Sequence, residues 1–293
     1  MSSQAGILAP VPRHARYLMF SFESDASAAA EALTPLLEVV DGEDTVVGLG
    51  PSLVTALDAE IAGLRPFPAM VGSGFDIPST QYALWFWLRG SDRGELYHRS
   101  RVIEHALAMD FQLQEVLDTF LHRDCRDLTG YVDGTENPQG EAAVAAAIVR
   151  DQGAGLDGAS FVVVQQWLHN LEIFEAMSPL EQDMSVGRRK RDNEELTEAP
   201  ESSHVKRTAQ ESFAPEAFMV RRSMPWTEGN DAGLNFVAFG HSLDAFEVML
   251  ARMAGHEDGI TDALFNYTRP VSGGYYWCPP MAAGRLDLRA LNA

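Results

Sequence analysis

The chain has 293 residues, 46% of them hydrophobic, enough for one large core or two modest ones. Its 42 acidic residues outweigh 22 basic ones for a net charge of −20, which argues against nucleic acid or an anionic membrane as a partner. Two cysteines, Cys125 and Cys278, exclude a disulfide framework and suit a reducing compartment. The first residues show no basic segment leading into an apolar stretch, and no apolar run reaches membrane-spanning length, so the expected location is the cytoplasm.

In chain order, Arg16–Phe22 reads as a strand and Ala28–Val39 as a helix capped by Ser27 and divided at Pro35. Val46–Leu49 is strand-like, Pro51–Ala59 a short helix, Ala83–Leu88 an aromatic strand and Gly94–Ala108 a helix. Val116–Leu121 fits a strand or a further helical turn. After a linker at Gly153–Gly158 the alternation resumes, with a strand at Ser160–Gln166 and a helix from Asn170 to Met177. A long polar loop spans 185–205. Strands follow at Ala217–Arg222 and Leu234–Gly240, then an amphipathic helix at Leu243–Met253 ending near Gly255. Two similar halves, 1–152 and 159–293, suggest duplicated α+β units.

The stretch Gly130-Tyr131-Val132-Asp133-Gly134-Thr135-Glu136-Asn137-Pro138 places one acid on a glycine-bracketed loop whose exit is restricted by proline. Taken alone, it reads as a turn in which Asp133 hydrogen-bonds its own backbone. Of eight histidines, His14, His98, His105 and His122 sit in charged surroundings. His169 fits a packed core or loop position, His256 a helix end, and His241 has no evident partner. His204 follows the polar loop directly, and Arg221-Arg222-Ser223 lies seventeen positions beyond it. An imidazole, an apolar strand and an Arg-x-Ser at its end are the pieces a haem pocket needs: axial ligand, wall, and polar groups over the open face.

The chain resembles the dye-decolourising (DyP-type) haem peroxidases, in the compact bacterial subgroup. The residues that carry the likeness are Gly130–Pro138, Val186-Gly187-Arg188 with Lys190 and Glu195, and Ser203-His204-Val205. Arg221-x-Ser223-Met224-Pro225 and Asp262 through Tyr276 complete the set, all in family order across about half the chain. The resemblance implies two ferredoxin-like halves of the dimeric α/β-barrel type, with haem b in the C-terminal half. It implies His204 as proximal iron ligand and Asp133, Arg221 and Ser223 as distal residues. Arg207, with Arg188, is implied to meet a haem propionate. Asp262 is a candidate acceptor for the proximal imidazole N–H and equally a helix N-terminal cap; relatives often carry an acid where this chain has Asn266.

The activity implied is oxidation of small organic reductants (dyes, phenolics) by hydrogen peroxide through compound I, in a homo-oligomer. Peroxide cleavage needs a proton moved between two oxygens and a fixed cation to stabilise developing charge, which suits a carboxylate beside a guanidinium. The rival function is a haem-binding, haem-trafficking or deferrochelatase-like protein with incidental peroxidase activity. Such a carrier needs His204 but has no need of Asp133 with Arg221.

Overall fold

The computed structural model describes residues 2–72 and 74–291. Strands β1 (His14–Phe22), β2 (Thr45–Leu49), β3 (Met70–Gly72), β4 (Phe75–Ile77), β5 (Leu84–Gly90) and β6 (Phe111–Phe120) belong to the first half of the chain. The second holds β7 (Ser160–His169), β8 (Val220–Arg221), β9 (Met224–Glu228), β10 (Asp231–Gly240), β11 (Thr268–Pro270) and β12 (Gly274–Cys278), followed by β13 (Met281–Ala282) and β14 (Arg285–Leu286). One antiparallel sheet runs β11-β7-β12-β2-β5-β1-β6-β9-β10-β8, and a further β7–β10 pairing closes it into a barrel. The first-half strands lie in the order β2-β5-β1-β6 and the second-half strands in the order β12-β7-β10-β9. Each half therefore has its first and third strands at the centre and its second and fourth at the edges, the order of a ferredoxin-like βαββαβ unit. The expected α+β class with two such units is what the chain forms.

Alternation along the strands explains the burial. In β5, Leu84, Trp85, Phe86, Trp87 and Leu88 are all buried, since one face of the strand looks into the barrel and the other lies under helices. Trp85 and Trp87 point inward with Tyr17, Phe239 and Tyr276. The Tyr17 and Trp87 rings stack with centroids 6.4 Å apart, and Trp85 and Tyr276 at 6.1 Å. Phe86, Leu88, Val163, Trp167 and Tyr275 face outward into a second core beneath the helices.

The helices follow local sequence. Arg93–Leu107 begins where Asp92 accepts from the Glu95 N–H at 3.0 Å. Pro35 divides the first helical region into Ala29–Ala32 and Leu36–Val39, as its missing N–H requires. The stretch expected at Val116–Leu121 is strand, and longer than the apolar pattern indicates. It runs Phe111–Phe120 with polar residues outward and pairs along β1. The strand expected at Ala217–Arg222 shortens to Val220–Arg221, because the ladder breaks before β9. A helix at Pro179–Val186, opened by the Ser178–Glu181 capping box and closed by left-handed Gly187, precedes the polar loop.

Barrel closure is tightest at Gly233, where a Cβ would stand 1.8 Å from the Trp167 carbonyl oxygen and 2.9 Å from Trp226 Nε1. Gly233→Ala is expected to lower stability by about 1–3 kcal/mol, since backbone of the partner strand must move. The midpoint of urea unfolding would register it.

Candidate active site

A cavity of about 330 Å³ opens between the outer face of β7 and β10, the helix Asp244–Met253 and the Gly130–Pro138 loop. Its floor is apolar, with Leu234, Phe236, Phe246, Met249 and Leu250, and its polar groups converge from separate elements. Asp133 comes from the loop, Arg221 from β8, His204 from the helix His204–Arg207 and Arg188 from the turn after Pro179–Val186. Few polar groups aimed into an apolar concavity make the usual form of a ligand site.

His204 is held from behind. Its Nδ1 lies 2.8 Å from Asp262 Oδ2, and the Asp262 side chain is wholly buried. The other Asp262 oxygen accepts from the Leu264 N–H at 2.9 Å and caps the turn Ala263–Asn266. Both expectations for Asp262, acceptor and cap, describe one side chain. A carboxylate acceptor puts the imidazole proton on Nδ1, which leaves the Nε2 lone pair available, and no hydrogen bond reaches Nε2 among the described residues. No cluster of three or more His, Cys, Asp or Glu able to hold a metal exists among the described residues. An iron held by His204 therefore needs its remaining ligands from a macrocycle, and the apolar floor suits one.

The Asp133 loop is fixed by side-chain amides. Asn137 accepts from the Arg221 N–H at 2.7 Å and donates to the Arg221 carbonyl at 3.0 Å, doing for β8 what a neighbouring strand would do. Gln210, 2% exposed, donates to the Glu136 carbonyl and accepts from the Met219 N–H. The Asp133 N–H donates to the Cys125 carbonyl at 2.8 Å, and Gly130 and Gly134 both take positive φ. Asp133 and Arg221 are thus presented to one cavity by hydrogen bonds that do not occupy the Arg221 guanidinium.

Burial pushes the Asp133 carboxyl above the usual carboxylate range. The Arg221 charge opposes that shift, the Asp127 charge adds to it, and a Gly134 N–H and His204 oppose it.

Two expected residues stand elsewhere. Arg207 does not line the cavity: its guanidinium forms a two-fold ion pair with Asp258 at 2.7 and 2.8 Å and donates to the Arg252 carbonyl. Its charge is neutralised there, away from the cavity lining. Ser223 is likewise off the cavity, its hydroxyl accepting from the Val237 N–H of β10 at 3.4 Å. Arg188 does line the cavity and pairs with Glu136 at 2.6 Å and Glu195 at 3.0 Å.

Three further residues were not singled out from sequence. Asp127 and His169 line the cavity as a hydrogen-bonded pair at 2.9 Å, and Asn137 makes the clamp described above. The available signals were the six-residue spacing of Asp127 from Asp133, and the position of His169 at the end of an apolar strand.

A family model described as Dyp-type peroxidase, C-terminal, matches residues 124–283, more than half of the chain. A dye-decolorizing peroxidase of Mycobacterium tuberculosis is 29% identical over 93% of this chain and 87% of its own length. Among solved structures, a dye-decolorizing protein from Vibrio cholerae superposes with a TM-score of 0.85 at 27% identity, covering 99% of both chains. A variant of Rhodococcus jostii DypB in complex with haem gives a TM-score of 0.84 at 25% identity, over 94% of this chain and 95% of that one. The chain belongs to the Dyp-type peroxidase family.

The raised Asp133 value carries a stability consequence. A carboxyl titrating higher in the folded than in the unfolded state supports the fold below its unfolded value and weakens it above the folded one. Asp133→Asn removes a buried charge, so thermal unfolding of the ligand-free protein at neutral pH is expected at a higher temperature than in the parent. The gain should shrink as pH falls through the raised value and vanish in the ordinary carboxylate range.

Proposed function

We propose that this Dyp-type peroxidase holds haem b through His204 and acts on hydrogen peroxide with Asp133 and Arg221. Support comes above all from one observation: an imidazole anchored at Nδ1 by buried Asp262, with Nε2 unbonded, shares an apolar cavity with a buried acid and an arginine. The residues present fit a haem, which when bound would supply the two electrons that O–O cleavage of peroxide takes up. The haem-bound relative lends the cofactor assignment its support.

Each residue has a chemical task. Asp262 accepts the Nδ1 proton, fixes the tautomer and ring plane, and makes Nε2 a stronger donor. Asp133 takes the proton of the inner peroxide oxygen and returns it to the outer oxygen, which leaves as water. Burial suits it to that work by bringing its basicity nearer to working pH. Arg221, charged at any relevant pH, orients the peroxide and stabilises the negative oxygen. Arg188 is the arginine in position to meet a propionate, with Glu136 and Glu195 setting the charge around it. The apolar floor excludes water from the reacting atoms.

The reductants are small organic molecules such as dyes and phenolics, with cationic or neutral ones favoured by a net charge of −20. A cytoplasmic homo-oligomer built from halves 1–152 and 159–293 completes the proposal. Both cysteines are free, and no helix among the described residues is long and apolar enough to cross a membrane.

Haem-loaded protein tests the assignment. His204→Ala is expected to lose or strongly shift the Soret band. Arg221→Leu should slow the stopped-flow reaction with peroxide by roughly 100-fold or more, and Asp133→Asn by no more than that. An unshifted Soret band in His204→Ala removes the ligand assignment, and unchanged rates in both distal variants remove the catalytic one.

A further inference from the structure

Asp127 and His169 line the cavity but have no task in the reaction just described. Asp127 accepts from His169 Nε2 at 2.9 Å through Oδ1, and from both the N–H and the hydroxyl of Thr129 through Oδ2. On the far side of the ring, Nδ1 lies 2.7 Å from Thr268 Oγ1, a hydroxyl that is also 3.1 Å from the Leu168 carbonyl. With Thr268 at Nδ1, the Nε2 proton is directed at the Asp127 carboxylate. The two side chains are only 5% and 14% exposed.

Burial alone would raise the Asp127 carboxyl, but the bond and charge of His169 and the two Thr129 bonds outweigh it. The group lies below the ordinary carboxylate range. It is therefore a fixed anion, on the same loop as Asp133. An Arg126–Val132 bridge and the bond from the Asp127 N–H to the Tyr131 carbonyl fold that loop back on itself. Like charges repel strongly where water is scarce.

We propose that Asp127 and His169 are positioning residues for the proton on Asp133: His169 keeps Asp127 ionised, and the Asp127 anion sets the pH at which Asp133 gives its proton up. The groups that face Asp133 are Arg221 from β8, His204 from the helix opposite, and Asp127 and Cys125 from its own loop. Arg221 favours the Asp133 anion, and Asp127 opposes it; His204, with Nε2 given to the haem iron as proposed, is neutral. Cys125 is a thiol that burial and Asp133 itself push up, so it stays uncharged. Asp127 is in turn faced by His169 and by Tyr267, a phenol raised by burial. Among the described residues, Asp127 is then the nearby anion that holds the proton on Asp133.

The consequence for rate rests on Asp133 being the proton acceptor. In haem-loaded protein, two quantities are followed against pH. One is the stopped-flow rate with hydrogen peroxide; the other is the infrared carboxyl band that Asp133→Asn removes. Asp127→Asn keeps the shape and an oxygen for Thr129 but loses the charge. It should move both the acid limb of the rate and the infrared titration to lower pH. At a pH on that limb the variant should react roughly threefold faster than the parent. Asp127→Ser, which retains an oxygen for the turn, should do the same and serves if the Asn variant does not fold. A rate lowered at every pH, with limb and infrared titration unmoved in both variants, would overturn the proposal. An acid limb that survives Asp133→Asn counts against Asp133 as acceptor, and the infrared titration then decides on Asp127 alone.

Discussion

Strand β7 is hydrogen-bonded along both edges, and the rest of the molecule depends on that double engagement. One edge pairs with β10 from Phe161 to Leu168; the other pairs with β12 and then β11. The first pairing closes the barrel, and the second draws the end of the chain against its middle. Because side chains alternate along a strand, β7 also sends Gln165, Trp167 and His169 to one side, the cavity side. A slip of one residue would turn all three into the barrel interior, so the register that seals the fold also furnishes the wall of the site.

The groups proposed as catalytic are attached to this frame more lightly. The loop that carries Asp133 contributes no strand to the barrel; it is fastened to β8 by the Asn137 amide and to the helix region by Gln210. His204 belongs to a helix of four residues that would not form alone, and its ring is set by an acid from fifty-eight positions further along. Short elements that own few bonds of their own take their geometry from side chains that reach across, which is how an acid and a cation from distant parts of the sequence come to share one cavity.

How much of this was legible in the sequence varied with the physics involved. The α+β class and the strand pattern were, because apolar alternation is local: β1, β2, β5 and β10 read directly from it. Barrel closure was not, since it depends on pairing partners far apart in the chain. For the site, motif order led to His204, Asp133 and Arg221, and to Asp262 in two capacities that turn out to be compatible. Arg207 stands with Asp258, fifty-one positions further along, and off the cavity, because proximity to His204 in sequence says nothing about which way a helical side chain points. Ser223 falls in the gap between β8 and β9, where its hydroxyl turns to the Val237 N–H and not to the cavity. Asp127 and His169 looked ordinary because each acquires its meaning only from the other, forty-two positions away.

Asp262 joins two processes usually treated apart. One oxygen closes the turn at 263–266 and the other grips His204, so local folding and ligand orientation form a single equilibrium. By linkage, whatever binds the free imidazole nitrogen also favours the closed turn, and a chain whose turn is open presents an unoriented ring of weaker donor strength. With His204 as the proposed haem ligand, chains with an open turn would compete poorly for cofactor against folded ones. Cofactor loading would then be a form of proofreading, carried out by one buried carboxylate.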